Sequence, residues 1–178
     1  GRADCRVDEQ LSSSWFAWHV PASYRSRGGS SMSLAMSTAE REAFLADVHV
    51  AVISIPEPGR GGLVVPIWYD YAPGGPLWFV TDASSRKARL LERAGCLGIC
   101  VQTETPPYRY VSVEGTVRSI EPADLERDTR PLAHRYLGRI DGDRYVESTR
   151  GEGGDVGSVV VRVDLRRWLS VDYAKQFG

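Results

Sequence analysis

The sequence predicts a mainly β fold, a six-stranded antiparallel barrel with accessory helices. Three observations carry that prediction. Short β-branched or alternating apolar runs recur at Val50–Ile55, Leu63–Tyr71, Leu77–Thr81, Leu97–Thr103, Tyr108–Ile120 and Ser158–Trp168, the pattern of half-buried strands. Several are separated by turn chemistry alone, such as Pro56-Glu57-Pro58-Gly59-Arg60-Gly61-Gly62 and Ala72-Pro73-Gly74-Gly75-Pro76, so the strands they join form hairpins. Helical segments fall between only some strands, which does not give the regular alternation of a doubly wound sheet.

The elements follow in order. Residues Gly1 to Ser31 mix Ser, Arg and Gly with one aromatic cluster, Trp15-Phe16-Ala17-Trp18, and show no sustained period. They read as a disordered or extraneous extension, with an arm that packs on the domain or on a partner as the alternative; the folded domain is placed at residues 32–178. Ser37-Thr38-Ala39-Glu40 has capping-box spacing and opens a helix over Thr38–Asp47. Pro66 sits inside the second strand and cannot donate to a sheet ladder, so that strand has an edge, a bulge or an opening there. A helix over Ser85–Ala94 ends at Gly95, the residue type favoured past a helix C-terminus. Gly115 lies in the apolar row of Val111, Val113 and Val117 and marks a bulge or a close backbone approach. Pro122 at a first helical position predicts a helix to about Leu137, with an acidic, solvated face at Glu121, Asp124, Glu126 and Asp128. Asp141 to Gly157 is polar and glycine-rich, anchored only by Tyr145 and Val146, and reads as a short helix plus loop or as a lid. The tail at Val171–Phe177 could dock at an interface.

Composition narrows the function. The chain has 178 residues, 42% hydrophobic and 25% charged, with a formal charge of -1. Such a balance suits one globular domain and gives no electrostatic reason to expect nucleic acid or an anionic membrane as partner. No apolar run approaches the length of a membrane span, and no signal-peptide pattern is present. Cys5, Cys96 and Cys100 make no metal-ligand spacing, and so small and odd a count fits a reducing cytoplasm. His19, His49 and His134 are scattered, so neither a metal centre nor a catalytic dyad is expected. The serines near position 84 and Ser112 have no base partner, against a Ser–His hydrolase.

One stretch carries chemistry. The strand Leu77-Trp78-Phe79-Val80-Thr81 runs into Asp82, two serines, and then Arg86 and Lys87 at the front of an amphipathic helix. Hydroxyls, unpaired N–H groups and two cations meet at one helix N-terminus, which suits a phosphate. Cations there oppose the helix macrodipole, and a bound anion would remove the conflict. Solvated charges at an ordinary helix start are the plainer reading. Of 22 basic residues only Lys87 and Lys175 are lysine, which makes the choice at 87 notable.

The order of motifs resembles a known group, the split β-barrel flavin and deazaflavin oxidoreductases related to pyridoxamine 5′-phosphate oxidase. The resemblance rests on Val64-Val65-Pro66-Ile67-Trp68, on Thr81 followed by Ser85-Arg86-Lys87-Ala88-Arg89-Leu90-Leu91, on Pro107-Tyr108-Arg109-Tyr110-Val111, and on Val113-Glu114-Gly115-Thr116-Val117. It covers about Ser37 to Tyr173. It implies a homodimeric split barrel with cofactor sites at the subunit interface. The backbone of Val65, Pro66, Ile67 and Trp68 would lie along a tricyclic ring, and Thr81, Ser85, Arg86 and Lys87 would hold its phosphate. Tyr108, Arg109 and Trp168 of the second subunit are the candidates for closing the site. The cofactor would be FMN or F420, with F420 favoured by the Pro-x-Trp of the second strand and the arginine-rich, GC-type composition. Arg60, Arg89 and Arg109 are candidates for the acidic tail of F420. The expected activity is hydride transfer between the cofactor and a conjugated small molecule, with no catalytic side chain required. The signature of a true pyridoxamine-phosphate oxidase is missing near Arg166-Arg167-Trp168. The alternative is a flavin- or tetrapyrrole-binding carrier, store or sensor without turnover. Trp68 and Trp78 could equally be packing residues.

Overall fold

The structure, a computed structural model, describes residues 33–149 and 157–176. The expectations for residues 1–31, for 150–156 and for Phe177 lie outside them. In chain order the elements are α1 (Thr38–Ala46), β1 (Ala51–Ile55), β2 (Leu63–Ile67), β3 (Leu77–Asp82), α2 (Arg86–Ala94), β4 (Cys96–Gln102), β5 (Arg109–Pro122), a π-helical turn (Leu125–Thr129), α3 (Arg130–Thr149), β6 (Ser158–Asp172) and a 3-10 turn (Tyr173–Gln176).

The six strands form one sheet ordered β2-β1-β4-β5-β6-β3, with every pair antiparallel. Its two edges approach each other at a bridge between Asp70, just beyond β2, and Trp78 of β3, the one such bridge among the described residues. The sheet is therefore curled into a barrel that closes at one corner and stays split along the rest of the seam. An edge position also explains how β2 accommodates Pro66, which has no N–H to offer a further strand.

Alternation puts the core inside. In β1 the residues Ala51, Ile53 and Ile55 are buried while Val52 and Ser54 face out. Ile99 and Val101 of β4, Val111 and Val113 of β5, and Phe79 of β3 join them, with Leu91 of α2 covering one end. Full burial of side chains of this size contributes about 1.5–3 kcal/mol each. At Gly115 a Cβ would run into Val163 Cγ1 and lie 3.1 Å from Leu97 Cδ2, so the glycine leaves room for core side chains of the flanking strands rather than for a close backbone approach. The ladder between β5 and β6 is also irregular beside it. Register shifts fall between Val113 and Glu114 and between Val117 and Ser119. Arg167, left out of the pairing, takes a positive φ of 46°. Such bulges add bend and twist to long strands, which β5 and β6 need to run around the barrel.

The helices confirm the capping signals at two starts and correct a third. Ser37 and Glu40 form the expected capping box on α1. Ser85 caps α2, and Gly95 ends it in the left-handed conformation at φ 68°. Pro122, however, does not start a helix. It is the last residue of β5, opposite Val159, and Asp124 is the cap instead, accepting from Glu126 and Arg127 N–H at 3.0 and 2.7 Å. Nor is Asp128 on a solvated face. It is 3% exposed and accepts from Arg127 Nη2 at 2.9 Å and from Asp124 N–H at 2.9 Å.

α3 runs through residues 141–149, the first part of the segment expected to be a short helix plus loop or a lid. It breaks at Gly138, with φ 72° and ψ 175°, and its second half folds back on the first. Arg130 bonds Asp143 at 2.6 Å, His134 Nε2 lies 2.8 Å from the same carboxylate, and a Cβ on Gly142 would lie 3.0 Å from the His134 backbone nitrogen. At the chain ends, Lys175 Nζ donates to Glu40 Oε2 at 2.8 Å and to the Ala35 carbonyl at 2.9 Å. The tail thus docks on the start of α1. Among the described residues no helix is long and apolar enough to cross a membrane.

Candidate functional site

A cavity of about 640 Å³ opens where the seam is split. One wall is the exit of β2, with Pro66, Ile67 and Trp68, together with Val50 just before β1. The facing wall is the end of β3, with Val80, Thr81 and Asp82, together with Lys87 of α2 and Ser158 at the start of β6. Thr129 of the π-helical turn and Leu132, Ala133, Tyr145 and Thr149 of α3 complete the lining. Polar groups collect at the β3–α2 side and apolar groups at the β2–α3 side.

The polar side is built by the strand-to-helix turn. Asp82 accepts from Ser84 N–H at 2.6 Å, and the hydrogen bonds from Ser84 hold its carboxyl below the usual carboxylate range. Ser85 Oγ accepts from Ala88 N–H at 3.1 Å and lies 3.4 Å from Thr81 Oγ1. The first turn of α2 carries no acidic residue, so nothing in it answers the helix macrodipole. Lys87 projects into the cavity. Its Nζ lies 5.9 Å from the centroid of the Phe79 ring, and burial lowers its pKa. Among the described residues no carboxylate pairs with it. A half-buried ammonium without a counter-charge is costly, and an anion in the cavity would offset that cost. Arg86 is placed differently. Its guanidinium pairs with Glu57 in the β1–β2 loop and does not line the cavity.

The apolar side is an aromatic bracket. Trp68 stacks on Tyr136 with ring centroids 5.0 Å apart and planes 8° from parallel. Tyr145 stands against Trp68 at 5.4 Å and 54°. Val65 alternates with Pro66 and packs against the core. Tyr108, Arg109 and Trp168 do not line this chain's cavity. Tyr108 is exposed, the Arg109 guanidinium lies 5.2 Å over Phe44, and Trp168 lies beneath Arg41 at 4.7 Å. Of the sequence-derived candidates, Pro66, Ile67, Trp68, Thr81 and Lys87 are brought together, with Ser85 bonded to Thr81 just behind them.

Sequence reasoning missed the contribution of α3 and the π-helical turn, namely Thr129, Leu132, Ala133, Tyr145 and Thr149. Tyr145 alone carried a signal, as an apolar anchor in a polar stretch. The others depend on α3 crossing the split, a contact between segments more than 60 residues apart, as the bond from Tyr69 N–H to the Tyr136 hydroxyl shows.

No family model matches the chain, and no curated protein matches it. Solved structures do. An F420 reductase superposes with a TM-score of 0.60 at 21% identity, over 72% of this chain and 94% of its own. A conserved hypothetical protein from Mycobacterium tuberculosis gives 0.66 at 24%, over 85% and 94%. An FAD- and haem-binding protein from Mycobacterium smegmatis gives 0.53 at 15%, over 76% and 70%. At these identities the shared property is the fold, a mainly β split barrel with accessory helices.

Proposed function

We propose that this chain is an oxidoreductase that binds a flavin-type cofactor, F420 ahead of FMN, in the cavity of the split seam and acts on a conjugated small molecule. The observation that carries the reading is Lys87, a half-buried cation with no counter-ion among the described residues, set at a capped helix start and facing an aromatic wall across the cavity. A phosphate at one end and a flat ring at the other match those two chemistries. The neighbours support this by name, one as an F420 reductase and one as an FAD- and haem-binding protein.

Lys87 would hold the phosphate, with the Thr81 hydroxyl as a further donor. Pro66, Ile67 and Trp68 would carry the ring, and Leu132, Ala133 and Tyr145 would keep water from it. When bound, the cofactor supplies the hydride chemistry, so the protein's work is to bind, orient and exclude water. Arg60 on the β1–β2 loop and Arg89 on α2 remain the candidates for an acidic tail, whereas Arg109 is engaged over Phe44. A homodimer completes the reading. Pro66, Val52, Cys100, Ser112 and Leu169 form one row across the outer face of the sheet, and Val52, Val64 and Leu169 are more than 40% exposed there. That row meets the cavity at Pro66, so a second copy on it would close the site and bring in the partner's side chains. Purified protein loaded with F420 or FMN and mixed with conjugated acceptors such as quinones tests the activity. Acceptor-dependent change in the cofactor's absorbance supports it, and a tight complex without turnover would favour the carrier reading.

A further inference from the structure

Between β1 and β2 the last paired residues are Ala51 and Ile67. Continuing that register would set His49 opposite Tyr69. A side chain stands there instead. The Tyr136 hydroxyl lies 2.6 Å from the His49 carbonyl and 3.1 Å from the Tyr69 carbonyl, and it accepts from Tyr69 N–H at 3.0 Å. A phenol has one hydrogen to donate and lone pairs to accept, so this hydroxyl takes over bonds that a neighbouring strand would make. The same ring lies flat on Trp68, the residue next to Tyr69, which lines the cavity. Arg135 reinforces the placement. Its guanidinium bonds the Ala46 carbonyl at 2.6 Å and pairs with Asp70 at 3.2 Å.

We infer that Tyr136 is the positioning residue of the cavity: its hydroxyl parts β1 from β2 between His49 and Tyr69, and its ring fixes Trp68 as the wall on which a flat ligand rests. The role in binding rests on the proposed function; the parting of the strands does not. Once the ladder is interrupted, β2 turns toward β3 and leaves the space beside Val50 and Trp68 open. A side chain locked by stacking and by hydrogen-bonded neighbours presents its surface to a ligand with little ordering left to do.

The test uses Tyr136→Phe and Trp68→Leu in the full chain, with amide hydrogen exchange at Tyr69 and fluorescence titration with F420 and with FMN. In Y136F the ring stays and the hydroxyl goes. The expected result is wild-type secondary structure, Tyr69 exchange faster by about tenfold or more, and affinity for the preferred cofactor lower by about five- to tenfold. In W68L the hydroxyl stays. Tyr69 exchange should remain at the wild-type rate while affinity falls by a similar factor. Unchanged Tyr69 exchange in Y136F overturns the parting role, and unchanged affinity in W68L overturns the positioning role. Failure of the wild type to bind either cofactor sinks the proposed function, and the exchange rate at Tyr69 still decides whether Tyr136 parts the strands.

Discussion

Asp70 and Trp78 join the two edges of the sheet through a pair of backbone hydrogen bonds, 2.9 Å from Asp70 N–H to the Trp78 carbonyl and 3.0 Å in return. The bridge is made by backbone, but the Asp70 carboxylate shapes the corner. It accepts from Tyr71 N–H at 2.9 Å and pairs with Arg135 at 3.2 Å. Asp70→Ala should therefore lower stability by about 1 kcal/mol, since the pair is partly solvated and contributes less than a buried one. Urea unfolding with an unchanged m-value would register it as a shift in midpoint.

Gly115→Ala should be among the most damaging small substitutions. The added methyl meets Val163 Cγ1 and Leu97 Cδ2, and both side chains are themselves buried in the core, which limits relief. Overpacking of this kind costs about 1–3 kcal/mol. A thermal scan should place the variant several degrees below wild type, whereas alanine at exposed Gly61, which has open space around it, should leave the melting temperature where it is.

Asp128 makes stability depend on acid. Burial alone would raise its pKa, but hydrogen bonds from Arg127 and from the Asp124 backbone, with Arg162 nearby, outweigh burial and hold it below the ordinary 3.8. A carboxyl that is more acidic folded than unfolded adds stability that is fully present above the unfolded value and is lost as pH falls through the folded one. Asp128→Asn should cost about 1–3 kcal/mol at neutral pH, and its stability should fall less steeply than the wild type's below pH 3.8. Equal slopes in paired denaturation series would contradict the assignment.

Lys87 gives a dependence of the same sign at the alkaline end, in the ligand-free protein. Burial lowers its pKa from 10.5, so the unfolded chain binds the proton more readily, and stability rises with pH just below 10.5. Lys87→Met should abolish that alkaline rise. Bound phosphate-bearing cofactor should reverse it in the wild type, because the anion then favours the ammonium.

Much of the architecture was legible because it is written in local patterns. The strand alternation in Ala51–Ile55, the capping box at Ser37 and Glu40, and the Ser85 cap with Gly95 at the far end each depend on residues a few positions apart. What misled was local chemistry overruled from a distance. Pro122 has the credentials of a first helical residue, yet pairing with Val159 keeps it in β5. Asp128 belongs to an acidic stretch, yet Arg162 from β6 approaches within 3.8 Å as it is buried. Strand β2 was expected to reach Tyr71 and stops at Ile67, because the partner of Tyr69 is a side chain of α3. In the site, residues of the β3–α2 corner are neighbours in sequence and could be read together. Arg86 could not be separated from Lys87 without knowing that Glu57 sits beside it, and the α3 lining had no sequence signal beyond Tyr145.

If the Lys87 ammonium at the split seam holds a phosphorylated, ring-bearing cofactor, its removal must weaken the complex. Equilibrium fluorescence titration of the wild type and of Lys87→Ala with F420 and with FMN tests it most directly. A saturable complex with one of the two is expected, weakened in K87A by about 1.5–3 kcal/mol, the worth of a charge-assisted hydrogen bond. Identical affinities for wild type and K87A would contradict it.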